Sequence, residues 1–199
     1  TTFWGQNGGP VIFSGIAAID IALWDIKGKY YGCPVYQLLG GKVRSKLRTY
    51  ASQLQFGWGN IYEGKEFLWA VTPEDYAHNA RLAVDEGYDA IKIDFFDRDE
   101  NGKPLNFLQQ TGFITPKLLR LVESRIKAVR DEIGPNVDII MENHSTPDAL
   151  GAVQLGRLAE KYGILAFEEP NTPTVQSSQY ITKYCSVPIA NGERLFSRW

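Results

Sequence analysis

The sequence is short of most features that would identify a chain at a glance. Its two cysteines, Cys33 and Cys185, cannot make a disulfide framework, so reduced thiols and a cytoplasmic setting are expected. A net charge of −2 lacks the excess of one sign that would draw the chain to nucleic acid or to an anionic membrane surface. No apolar run is read as approaching the roughly 18 residues of a membrane span, and no secretory leader is read, so no membrane partner is expected. No G-x-G-x-x-G or G-x-x-x-x-G-K-[ST] follows a strand candidate, which excludes nucleotide sites of those types. The single methionine is not at the start. The chain opens on TTFWGQNGGP and stops soon after a strand candidate, so a piece of a longer protein is expected.

What is present is an ordinary globular composition, 44% hydrophobic and 13% aromatic over 199 residues, enough for one sizeable core. Residues 13–30 predict a helix, with Ile16, Ile19, Leu23 and Ile26 at helical spacing and Ser14 as a candidate cap. Its Asp20, Trp24, Asp25 and Lys27 are assigned to pairing and packing. KLRTYAS (46–52) is the first strand candidate, and the aromatic, Gly-rich stretch after it reads either as a cover over a site or as a self-packed loop. Thr72-Pro73 with Asp75 predicts a capping-box start for the next helix. YDAIKIDFF (88–96) alternates cleanly, with Ile91, Ile93 and Phe95 on one face and Lys92 and Asp94 on the other. Lys92 and Asp94 are expected to pair. The insert 97–114 is placed at the strand's C-terminal end, where it could cover a site.

Thr115-Pro116 then starts the most regular helix, with Leu118, Val122, Ile126, Val129 and Ile133 as its stripe. VDIIMENH (137–144), a helix over 147–162 capped by Ser145 or Thr146 with Leu150, Val153, Leu158 and Tyr162 as its stripe, ILAFEEP (164–170), a helix near 176–184 and VPIANGER (187–194) complete the run. Strand and helix alternate, which predicts parallel βαβ units, and a (β/α) barrel is preferred to a doubly wound sheet.

Three of these strands end on acids: Glu142, Glu168 and Glu193, spaced 26 and 25 residues apart, about one βα unit each. Parallel neighbours would bring the three together, and hard carboxylate oxygens suit Mg²⁺. His144 sits two residues beyond Glu142 and faces the same way, a proton-transfer group beside a metal ligand. Only one acid of FEEP can face inward. Glu168 is the ligand, and Glu169 a supporting or salt-bridge residue.

SGIAAIDIALWDIKGKYYGCPVYQLLGG, the FEEP strand and IANGERLFSRW together resemble the enolase superfamily, in its mandelate racemase-like branch and its galactonate dehydratase-like group of sugar-acid dehydratases. The resemblance implies an α/β fold, a modified TIM (β/α) barrel joined to an α+β capping domain. Residues 1–45 would end the capping domain, and 46–199 would supply about the first five barrel strands. It implies Mg²⁺ held by Glu142, Glu168 and Glu193, and removal of the proton α to a carboxylate with the enediolate stabilised by the metal. Loss of the β-hydroxyl to give a 2-keto-3-deoxy sugar acid would follow. His144 matches the group's general acid, and Lys92 and Asp94 are assigned to substrate binding.

Two departures stand out. The first ligand is usually Asp, where this chain has Glu142. The second-strand Lys-x-Lys of racemases is Lys92-Ile93-Asp94 here, so that base is absent. An aldonate or aldarate dehydratase acting as a homo-oligomer on a small acid-sugar substrate is therefore expected, ahead of a racemase or epimerase or a non-catalytic relative.

Overall fold

The computed structural model of the protein describes residues 9–59 and 68–195. The chain divides into two compact units, residues 49–192 and a second unit of residues up to 48 with those from 193 onward.

In the larger unit, the helices α3 (Pro73–Asp85), α4 (Phe107–Gln110), α5 (Pro116–Ile133), α6 (Ala149–Lys161) and α7 (Val175–Tyr184) alternate with strands. The strands are β1 (Ala90–Asp94), β2 (Asp138–Glu142), β3 (Ala166–Glu168) and β4 (Ile189–Ala190). All pair in parallel, in the order β1-β2-β3-β4. Because parallel crossovers are right-handed, sequential order places every connecting helix on one face of the sheet. That is a barrel wall, not a doubly wound sheet, whose strand order would reverse. Ile91, Ile93, Phe95, Ile139, Met141 and Phe167 face the helices and are fully buried. The 46–52 candidate contributes a single parallel bridge, Ala51 to Ile91, with hydrogen bonds from Ala51 to Ala90 and from Lys92 to Ala51.

Local chemistry explains the helices. Thr72 accepts from Asp75 N–H while the Asp75 carboxylate accepts from Thr72 N–H, completing the expected capping box. Thr115 caps α5 ahead of Pro116, and Leu118, Val122, Ile126 and Val129 form its buried stripe. Arg125 is fully buried on that helix and donates to the carbonyls of Val71, Phe95, Arg98 and Asp99. It thereby pins the start of the 97–114 insert, while Gly112 N–H donates to Asp148 and Ile114 N–H to Gln154 of α6.

Three expectations need correction. The cap of α6 is Asp148, not Ser145 or Thr146, and accepts from Leu150 and Gly151 N–H. Ser145 is unavailable because its hydroxyl is committed to Glu169. Nor is the expected Leu150 part of the α6 stripe: it is exposed, and the buried face is Gly151, Ala152, Val153, Leu155, Gly156 and Ala159. Close packing demands small residues there, since a Cβ on Gly156 would lie 2.4 Å from Cys185 Sγ.

The third correction concerns the smaller unit, which holds α1 (Gly9–Tyr31) and α2 (Val35–Leu38). By length and composition α1 is apolar enough to cross a membrane, with mean hydropathy 1.5 over a window of which none is buried. Only Asp20 and Asp25 interrupt that window, so counting unbroken apolar runs missed it. Asp25 pairs with Lys29 at 2.6 Å, and Lys27 lies over the Trp24 ring. Ile19, Ile21, Leu23 and Ile26 are all exposed.

An apolar helix face of this extent, together with an outer edge of β4 that has no strand beside it among the described residues, is a liability for an isolated chain. The 199 residues expressed alone are expected to aggregate or remain partly unfolded in size-exclusion and thermal-melt experiments. A cooperative, monomeric melt would contradict this.

Candidate active site

The parallel register builds the site. Asp94 stands opposite Glu142, and Glu142 opposite Glu168. In-register neighbours point to the same side of a sheet, so three carboxylates form a row on the face away from the helices. Lys92, two residues before Asp94, shares that face. Its ammonium lies 2.6 Å from Glu168 Oε1 and 3.3 Å from Glu142 Oε2, and 5.4 Å from the centre of the Tyr50 ring. The expected Lys92–Asp94 pair is therefore not made. In register Lys92 stands beside Ile140, one row before the acids, so its long side chain runs diagonally forward to Glu142 and Glu168, while both Asp94 oxygens are engaged by His144 and by Phe96 N–H.

Charge balance follows. Burial raises the Glu142 pKa above the ordinary carboxylate range; the charges of His144 and Lys92 oppose this, and that of Glu168 adds to it. Burial works against the charged form of Lys92, but its hydrogen bond to Glu168 and the charge of Glu142 outweigh it and hold its pKa up.

Asp94 is occupied elsewhere. His144 Nδ1 lies 2.8 Å from Asp94 Oδ2, and Phe96 N–H donates to Asp94 Oδ1 at 2.8 Å. A carboxylate accepts, so Nδ1 carries the hydrogen, and Nε2 is left as the nitrogen that can exchange a proton. Nε2 lies 3.6 Å from Glu142 Oε1, and the ring is 33% exposed, open enough for a substrate to reach. Behind Asp94, its own N–H faces Gln55 Oε1 at 3.4 Å, and Gln55 donates to Gln53 at 2.8 Å. Part of the aromatic loop after the first strand thus packs under the site, while its residues 60–67 lie outside the described residues.

The strand ends are held in backbone conformations that side chains usually avoid. His144, Ser145, Glu169 and Gln53 all have positive φ, between 43° and 64°. Such residues cost about 1–3 kcal/mol each and cluster at functional sites. Glu169 is fully buried; it accepts from Ser145 Oγ at 2.7 Å and from Gly192 N–H at 2.6 Å. Sequence parity gave Glu169 only a general supporting role, and Ser145 and Gln55 were missed, because nothing in their spacing marks them. Asn143 is likewise buried with neither amide atom hydrogen-bonded in the structure.

Glu193 lies three residues past β4, belongs to the second unit, is exposed, and has its carboxylate 3.3 Å from Arg194 Nε. Among the described residues no three His, Cys, Asp or Glu side chains are grouped to hold a metal ion. The donor chemistry of Glu142 and Glu168 nevertheless fits a hard divalent cation. They are aligned carboxylate oxygen donors with surplus negative charge, met here by Lys92.

The mandelate racemase/muconate lactonizing enzyme N-terminal domain family matches residues 3–40, and the family described as Enolase C-terminal domain-like matches residues 75–199. A D-gluconate dehydratase of Thermoproteus tenax is 36% identical over 183 residues, covering 92% of this chain and 32% of that protein. A D-galactonate dehydratase of Ralstonia pickettii is 33% identical, covering 97% of this chain and 44% of that protein. The chain thus spans less than half the length of these curated relatives. Among solved structures, a member of the enolase superfamily from Salmonella Typhimurium superposes with TM-score 0.91 at 47% identity, covering 98% of this chain and 49% of that one. A mandelate racemase/muconate lactonizing enzyme from Jannaschia sp. CCS1 gives TM-score 0.76 at 29% identity, covering 94% and 45%.

One neighbour of the row titrates. Burial, helped by the charge of Asp94, raises the Asp97 pKa to about 7, although Arg98 and Arg125 oppose the rise. A carboxyl whose folded pKa lies above its unfolded value contributes stability at low pH that is lost as pH rises from about 4 through about 7. Asp97→Asn should therefore gain stability relative to the parent as pH rises across that window, read as thermal melts at pH 4 and pH 8. An equal offset at both pH values would contradict this.

Proposed function

For a chain that belongs to the enolase superfamily, we propose a Mg²⁺-dependent acid-sugar dehydratase, a hydro-lyase acting on an aldonate or aldarate. The observation that carries this reading is the His144 imidazole held by Asp94 at Nδ1, with Nε2 beside the Glu142 carboxylate. Residues 1–45 are assigned to the end of a capping domain and 46–199 to the first part of the barrel.

Glu142, Glu168 and Glu193 would hold the ion. When bound, it would supply positive charge against the negative charge that develops on the substrate carboxylate as the α-proton leaves. Lys92 already faces Glu142 and Glu168, and contacts the same substrate carboxylate from the sheet side. Asp94 is given the task of fixing the His144 ring, since both its oxygens are engaged.

His144 protonates the β-hydroxyl from Nε2. The C–H electron pair becomes the new C=C bond, the C–O pair leaves with the hydroxyl, and water departs. The resulting enol ketonises to the 2-keto-3-deoxy acid. Acid assistance of this kind contributes on the order of 10²–10⁴ in rate. The base that takes the α-proton is assigned to no residue of this chain. A racemase reading is disfavoured because position 94, where that chemistry places a lysine base, holds an aspartate already bonded to His144.

Incubating the full-length protein with a panel of aldonates and aldarates and Mg²⁺ should yield a 2-keto-3-deoxy product, detected as its semicarbazone. No turnover of any acid sugar would sink the dehydratase reading, and α-deuterium exchange without elimination would move it to epimerisation. Glu168→Gln should abolish both metal binding and turnover, and binding at parental strength in that variant would overturn the ligand assignment.

A further inference from the structure

The second acid of the FEEP run has an arrangement that the reaction itself does not use. Glu169 is fully buried, and among the described residues no ion pair includes it. Its two oxygens are taken by different strand ends: Oε2 by the Ser145 hydroxyl after β2, Oε1 by the Gly192 N–H after β4. Its backbone ties the same segments, because Ser145 N–H donates to the Glu169 carbonyl and Glu169 N–H donates to the Ala190 carbonyl, each at 2.8 Å. Ser145 directly follows His144, and Gly192 directly precedes Glu193.

The turn that presents His144 needs such a hold. His144 and Ser145 are consecutive non-glycine residues with φ of 47° and 61°, a conformation that persists only where the surroundings over-determine it. Thr172 Oγ adds one bond to the Ser145 carbonyl at 3.2 Å. The remaining side-chain restraint on Ser145 is the Glu169 carboxylate.

We propose that Glu169 is a positioning residue: through two accepted hydrogen bonds it clamps the residue after His144 to the residue before Glu193. The functional importance of those two neighbours rests on the reading above; the clamp itself does not. Its action depends on acceptor geometry and not on charge, which yields a sharp contrast between substitutions. In Glu169→Gln the amide oxygen can accept from Gly192 N–H while the amide N–H donates to the Ser145 hydroxyl, which can rotate to accept, so both contacts survive. Glu169→Ala loses both and leaves the buried Ser145 hydroxyl without its acceptor.

The test uses the full-length protein with Glu169→Gln, Glu169→Ala and the milder Ser145→Ala. It reads the NMR signal of the His144 Nδ1–H bonded to Asp94, together with kcat and KM. Glu169→Gln should keep the imidazole signal and hold kcat within about threefold, whereas Glu169→Ala should shift the signal and lower kcat about 100-fold, with a smaller change in KM. Ser145→Ala should shift the signal in the same direction and lower kcat about tenfold, which keeps the proposal testable should Glu169→Ala fail to fold. An unshifted signal with parental kcat in either alanine variant would overturn the clamp, as would a glutamine variant as damaged as the alanine one. Should the parent turn over no acid sugar, the dehydratase reading falls while the imidazole signal still decides the clamp.

Discussion

The constraint on which this structure depends is the register of a parallel sheet. Sequential βα units fix the strand order, and the order aligns Asp94, Glu142 and Glu168 as direct neighbours. A slip of one residue in any strand would move its acid to the helix face and its apolar partner into the site. Alignment has an electrostatic consequence: like charges about 4–5 Å apart repel by roughly 3–4 kcal/mol at an effective dielectric of 20. A positive group is therefore required among them. Lys92 answers Glu142 and Glu168, and Asp94 accepts a hydrogen bond from His144 Nδ1. The same repulsion that makes the row costly makes it a place where cationic and proton-donating chemistry can be held ready.

Around that row, the fold spends local strain to aim side chains. The left-handed residues of the larger unit that are not glycine all follow strand ends or the Ala51 bridge. They are stabilised by buried polar groups that do no chemistry: Glu169 for the turn after β2, Gln55 and Gln53 behind Asp94. Arg125 plays the corresponding part on the helix side, anchoring the insert through backbone carbonyls alone. These supports belong to the scaffold but fix the geometry of the site, so their loss would be felt as misplacement and not as missing groups.

Elements whose signals are local were legible in the sequence. The Thr72 capping box, the α5 stripe and the alternation of 88–96 need only the chain's own local pattern. Spacing put Glu142 and Glu168 at the ends of neighbouring strands. What remained hidden depends on contacts between strands. Lys92 pairs with Glu142 and Glu168 while Asp94 is held by His144 of the next strand's end, contacts between strands that one strand's pattern cannot carry. Asp148 displaced Ser145 as the α6 cap because Ser145 is claimed by Glu169, 24 positions away. The buried face of α6 is small because Cys185 and Ile114 approach closely, which made Leu150 a misleading marker. In α1, helical spacing of isoleucine and leucine predicted the helix but could not say that its apolar face lies exposed.

Glu142, Glu168 and Glu193 are proposed to hold one ion. The most direct measurement is anomalous X-ray scattering from crystals of the full-length protein grown with Mn²⁺ standing for Mg²⁺. One strong peak is expected within about 2.0–2.3 Å of an oxygen from each of the three glutamates. A peak elsewhere, or one that omits any of the three, would contradict it.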